Sequence, residues 1–153
     1  MCALANIVKV DIESYLRMFH TEILFNERDF QMHLATYLKE VGTYDDVDLE
    51  YFVPTSILDG YKDLWYTELR VDILVRKGNE FCPIELKYKT KKIKTSLTRF
   101  GVDIPDVVIV KDQGAQDLGM YGFWKDVKRI EMVKERFETV KSGLSVFLTN
   151  DIT

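Results

Sequence analysis

Apolar residues recur at helical spacing through residues 6–25, at Ile7, Val8, Ile12, Tyr15, Leu16, Phe19, Ile23 and Leu24, with no glycine or proline between them. The spacing predicts a first helix over that stretch. Asn26 is placed to cap a second helix, whose stripe Phe30, Leu34, Tyr37, Leu38 and Val41 stops at Gly42. Beyond Gly42 the period drops to two. Val47, Leu49, Tyr51 and Val53 alternate with Asp48, Glu50 and Phe52 before Pro54, which predicts a strand with one polar-leaning face. Residues 69–75 and 80–88 are two further strand-like runs, and Lys77-Gly78-Asn79 between them predicts a hairpin. The helical period returns at Met120, Phe123, Val127, Ile130, Val133 and Phe137, a long helix over 119–140 closed by Gly143. Residues 144–148 read as a short buried strand. Residues 107–110 fit either another strand or the approach to the long helix.

Helix, three strands, helix, strand is the order of an α/β domain with helices flanking a central mixed sheet, because a crossover through a helix suits parallel pairing. Period two sets Asp72 on the face opposite Val71, Ile73 and Val75, and puts Glu85 and Lys87 together opposite Ile84, Leu86 and Tyr88. Two acids and a lysine therefore converge across the hairpin. The same spacing also fits a plain solvent-facing surface. Neighbouring carboxylates repel, and burial penalises each charge unless a cation compensates. Oxygen ligands of this kind suit Mg²⁺ or Mn²⁺, which share their shell with water and substrate phosphate. The chemistry implied is phosphodiester hydrolysis, with Lys87 stabilising charge or orienting the attacking water.

Composition narrows the field. At 153 residues with 46% hydrophobic content, the chain can bury the core of one globular domain, expected to span 1–153. Its start lacks a basic n-region, and no run approaches the ~20 apolar residues of a membrane span, so neither a signal peptide nor a membrane partner is expected. Cys2 and Cys82 are too few and too far apart for a zinc knuckle, and read as reduced thiols of a cytoplasmic protein. His20 and His33 lack partners at metal-ligand spacing, and His33 is expected to pack beside Leu34. No GxSxG or P-loop supports acyl transfer or nucleotide hydrolysis. The net charge of −4 argues against indiscriminate coating of nucleic acid. Residues 87–99, however, carry six basic side chains and no acid, leaving −10 on the rest. That run reads either as a solvated loop or as a phosphate-holding segment.

Val71-Asp72, a dozen intervening residues, then Ile84-Glu85-Leu86-Lys87 resembles the PD-(D/E)XK motif of the restriction-endonuclease-like superfamily, with Val71 in place of the proline of its name. Glu27, the run Glu85-Leu86-Lys87-Tyr88-Lys89-Thr90-Lys91, the segment Gln113-Gly114-Ala115-Gln116-Asp117-Leu118-Gly119 with Tyr121, Asp126, Arg129 and Glu131, and Phe147-Leu148-Thr149-Asn150-Asp151 resemble an uncharacterised prokaryotic branch of it. The resemblance implies a restriction-endonuclease-like α/β/α sandwich and a nuclease dependent on Mg²⁺ or Mn²⁺, acting on DNA in preference to RNA. Asp72, Glu85 and Glu27 would be metal ligands and Lys87 the catalytic lysine. Lys89, Lys91, Lys92, Lys94, Gln113, Gln116 and Tyr121 are candidates to hold the nucleic acid. Each has a plainer alternative: Glu27 complements a helix N-terminus, Asp112 or Asp117 caps the last helix, and Asp126, Arg129 and Glu131 pair on its surface. No target-recognition module is present, and the stop within the last segment suggests a compact or shortened chain. A homodimer is the expectation for an enzyme that cuts both strands, and a further protein partner is a second expectation. A non-catalytic binding or interaction module that keeps this fold is the competing reading.

Overall fold

The computed structural model describes residues 3–18, 23–65, 67–112 and 116–150, with backbone alone at 3 and 116–121. Two helices lead, α1 (Ala3–Met18) and α2 (Glu27–Glu40), followed by β1 (Asp46–Val53), a 3-10 turn, and the short α3 (Tyr61–Leu64). Then come β2 (Leu69–Lys77), β3 (Glu80–Lys89), β4 (Ile93–Arg99), β5 (Val102–Val110), α4 (Gln116–Arg136) and β6 (Leu144–Thr149).

The first helix is described as far as Met18, and the expected helix does not extend to residue 25. Residues 23–25 are irregular because a new helix is being started there. Asn26 accepts from the Asp29 N–H at 2.8 Å, and the Asp29 carboxylate accepts from the Phe25 N–H at 3.0 Å. These reciprocal bonds satisfy donors that a helix start leaves orphaned. His33 does not pack into the core beside Leu34; it is exposed, and its ring nitrogen lies 3.1 Å from the Asp29 carboxylate.

The main sheet runs β1-β2-β3-β6, antiparallel across its first two pairs and parallel between β3 and β6. It is therefore a mixed sheet, and the parallel pair is linked through α4. Helices lie on both faces. On one side Val8, Ile12 and Tyr15 of α1 and Phe30 and Leu34 of α2 meet Ile73, Val75, Ile84 and Leu86. Side chains of this size stabilise by about 1.5–3 kcal/mol each when fully buried. On the other side α4 approaches β3 and β6 closely. A Cβ on Gly143 would lie 2.6 Å from Ile130 Cγ2 and 2.9 Å from the Pro83 carbonyl, so only glycine permits that approach.

One irregularity crosses the sheet. Leu49, Ile73 and Val75 pack in the core with α1 and α2, whereas Val53, Leu69 and Val71 share their parity but join a second core with Trp65 and Val133. The changeover falls at Glu50, whose φ of +51° inverts the pleat opposite Asp72. Asp72 thus sits on the seam between two cores.

Most of the basic run is strand, with residues 90–92 as the connection between β3 and β4. Ile93, Thr95 and Leu97 alternate with exposed Lys94, Ser96 and Thr98, and this period-two pattern forms β4 of a separate β4-β5 hairpin. Residues 107–110 are the end of β5. The base of this hairpin is clamped: Thr90 Oγ1 donates to the Lys111 carbonyl at 2.7 Å, the Lys92 N–H donates to Asp112 at 2.6 Å, and Asn150 bonds the Lys91 backbone in both directions. Among the described residues, no helix is long and apolar enough to cross a membrane.

Candidate functional site

β2 and β3 carry the two predicted acids to the same place. Their register pairs Ile73 with Ile84, and one step further sets Asp72 across from Glu85. Asp72 Oδ2 accepts the Leu86 N–H at 2.7 Å, which fixes the carboxylate against β3. Glu85 is 4% exposed because α4 covers the β3 face that carries it, so this face is not the solvent surface of a hairpin. The Asp72 and Glu85 carboxyls interact directly with one another. Burial, reinforced by the Asp72 charge, pushes the Glu85 carboxyl up to about 10. Burial also raises Asp72, against the opposing pull of the Leu86 N–H, Glu85 and Lys87.

Lys87 lies one pleat along on the same face. Its ammonium stands 3.7 Å from Asp126 Oδ2, and its stem rests against Gly122, where a Cβ would approach Lys87 Cε to 3.0 Å. Glu27, at the first turn of α2, accepts the Tyr88 N–H at 3.3 Å and feels both Lys87 and Asp72. Burial raises its carboxyl as well. Glu27, Asp72, Glu85 and Lys87 are thus gathered into one electrostatic cluster. Among the described residues no three His, Cys, Asp or Glu side chains close on a single metal position.

Several members of this cluster were not anticipated. Asp126 is 2% exposed and paired with Lys87, not a surface partner of Arg129 and Glu131; burial first of all lifts its carboxyl to about 6. Its sequence signal is its place on the apolar stripe of α4, three residues after Phe123 and four before Ile130. Arg129 lies over the rings of Trp65 and Tyr61 at 5.2 and 5.8 Å and donates to Thr67, while Glu131 pairs with Lys128. Gln31 is buried and donates to the Asp72 carbonyl at 2.7 Å and to Glu50 at 3.3 Å, tying a further acid to the group. Ser145 neighbours Glu85 in the β3-β6 register; its hydroxyl and Arg129 Nε are buried without a hydrogen-bond partner.

The predicted nucleic-acid contacts are distributed differently. Lys91, Lys92 and Lys94 are exposed at the base of the β4-β5 hairpin, and Lys89 is half-buried at the end of β3. Gln113 lies outside the described residues, as do the side chains of Gln116 and Tyr121. An apolar hollow of about 340 Å³ beside Phe52, Leu74 and Phe137 is lined by no acid or base beyond the Tyr51 hydroxyl and is not part of the cluster. Comparison of the chain with protein-family models, with the curated proteins and with the solved structures returned no match in any of the three.

Proposed function

We propose that this chain is a metal-dependent nuclease that hydrolyses phosphodiester bonds in DNA, built on a restriction-endonuclease-like α/β/α sandwich. The observation that carries the reading is the placing of buried Glu85 beside Asp72, which is fixed against β3 by the Leu86 N–H, with Lys87 on the same strand face. Two carboxyls crowded together out of solvent form a donor set that a divalent cation would relieve. The Ser145 hydroxyl, buried beside Glu85 in the β3-β6 register without a hydrogen-bond partner, adds an oxygen donor to the same place. The donors fit Mg²⁺ or Mn²⁺, which need only one or two carboxylates when water and substrate phosphate complete the shell.

Asp72 and Glu85 would hold the ion, and Glu27 would reach it through water. Bound there, the metal would supply Lewis-acid stabilisation and a water of lowered pKa. Lys87 places a fixed positive charge at the same face, where it offsets charge developing on a phosphate. Asp126 holds that ammonium toward α4, and Arg129 adds a second cation behind Glu85.

The test is a panel of single-stranded, nicked and duplex DNA and RNA with Mg²⁺, Mn²⁺ or EDTA, run beside Asp72→Ala, Glu85→Ala and Lys87→Ala. Metal-dependent cutting that falls at least ~100-fold in each variant is expected, the scale of losing one charge-stabilising group. Full activity in a variant removes that residue from the site. Absence of cutting by the parent protein under every metal leaves the non-catalytic binding module as the function.

A further inference from the structure

The β4-β5 hairpin turns at Phe100-Gly101, and both residues have positive φ, +53° and +77°. A two-residue turn of this hand is normally filled by Asn-Gly or Asp-Gly, because a side chain branching into a bulky ring is strained in the left-handed region. Phe100 is nevertheless there, and it is fully exposed at 103% of its reference area. The ring buries nothing within the fold, so neither packing nor turn chemistry accounts for it.

The rest of the hairpin behaves as an arm. Its base is clamped by the four bonds of Thr90, Lys91, Lys92 and Asn150. Near its tip the Arg99 guanidinium lies over the Phe25 ring at 5.1 Å, which moors the arm beside the start of α2, where Glu27 joins the acid cluster. Exposed Lys91 and Lys92 stand in the connection just before β4, and exposed Lys94 lies on its first pleat. The return strand carries two acids, Asp103, engaged by Thr98 Oγ1 at 2.6 Å, and exposed Asp106, so the cations of the arm are concentrated at its foot. Exposed lysines at the foot of the hairpin and a bare aromatic ring at its tip match a polyanion that also offers flat π-faces. A strand of nucleic acid with unpaired bases has both, whereas duplex DNA keeps its bases stacked.

We infer that the β4-β5 hairpin is a substrate-gripping arm for single-stranded DNA, with Lys92 and Lys94 on the phosphates and Phe100 stacked on a base. The inference rests on nucleic acid being the substrate, but it concerns binding and is tested without cutting.

Affinity for a labelled single-stranded oligonucleotide and for the matching duplex is measured in EDTA, for the parent protein, Phe100→Asn and Phe100→Trp. Phe100→Asn is expected to raise the melting temperature by relieving the turn, and to weaken single-strand binding by about 5- to 100-fold, the range of base-aromatic stacking. Phe100→Trp is expected to keep parental affinity, with its indole fluorescence quenched on saturation. Duplex binding should change little. Parental single-strand affinity in Phe100→Asn overturns the inference, as does an unquenched indole in a saturated Phe100→Trp complex. So does a shift from dimer to monomer in Phe100→Asn, which would make the tip a contact between copies. Cleavage that fails while this binding holds would count against the nuclease and not against the arm.

Discussion

A methyl group added at Gly122 probes the seat of Lys87 with little disturbance elsewhere. The new Cβ would lie 3.0 Å from Lys87 Cε, 3.6 Å from Cδ and 3.9 Å from Nζ. Carbon atoms settle at about 3.5–4.0 Å, so the lysine stem must move by roughly half an ångström. Only the far end of a flexible side chain stands in the way, and the helix itself gains, since alanine is favoured over glycine in a helix interior by about 0.8–1.0 kcal/mol. Gly122→Ala should therefore match or exceed the parent in thermal unfolding. The ammonium, by contrast, is displaced from its 3.7 Å contact with Asp126. A misplacement of ~1 Å at a reacting centre can cost about 100-fold, so half of that should slow metal-dependent cleavage by about 10-fold, equivalent to ~1.4 kcal/mol of barrier. Single-turnover rates beside Lys87→Ala measure it. Parental cleavage in Gly122→Ala, with Lys87→Ala inactive, would refute the idea that α4 sets the position of the lysine. A loss of stability would refute the steric reasoning behind it.

Gly143→Ala should do the opposite, because its Cβ would meet Ile130 Cγ2 at 2.6 Å and the backbone of Pro83 at 2.9 Å. A destabilisation of about 1–3 kcal/mol in denaturant unfolding is expected, and none would mean that α4 can shift without cost. The pH dependence comes from the raised carboxyls. Glu85 and Asp126 bind protons more tightly folded than unfolded, so metal-free protein is stabilised by them below about pH 4 and loses that contribution as pH rises, through about 6 for Asp126 and on toward 10 for Glu85. Melting temperature without metal should fall between pH 5 and 8 on this account. Glu85→Gln should flatten that fall, and an equally steep profile in the variant would exclude Glu85 as its source.

The hairpin that brings Asp72 to Glu85 was legible because strand alternation and the Gly78-Asn79 turn specify register almost by themselves. Asn26 was legible for the same local reason, a side chain bonding its own helix. Asp126 was not, since a charged residue on a long helix is solvated by default and only the packing of α4 onto β3 buries it. Glu50 reads as one more polar position in an alternating strand; the inverted pleat that turns it toward Asp72 is a backbone event with no residue type to announce it. In β4 the alternation of Ile93, Thr95 and Leu97 was present, but the density of lysines around it is equally that of a solvated loop, and charge masks the period.

The contacts that complete the acid cluster are long in sequence. Tyr88 reaches back 61 residues to Glu27, Asp72 is joined to Gln31 across 41, and the lysine finds its aspartate only on α4. A chain emerging from the ribosome would therefore present its acids apart for most of synthesis, and the lysine would lack its seat until α4 had docked. The cluster is complete only once α4 has docked, so its assembly marks a late step of the fold.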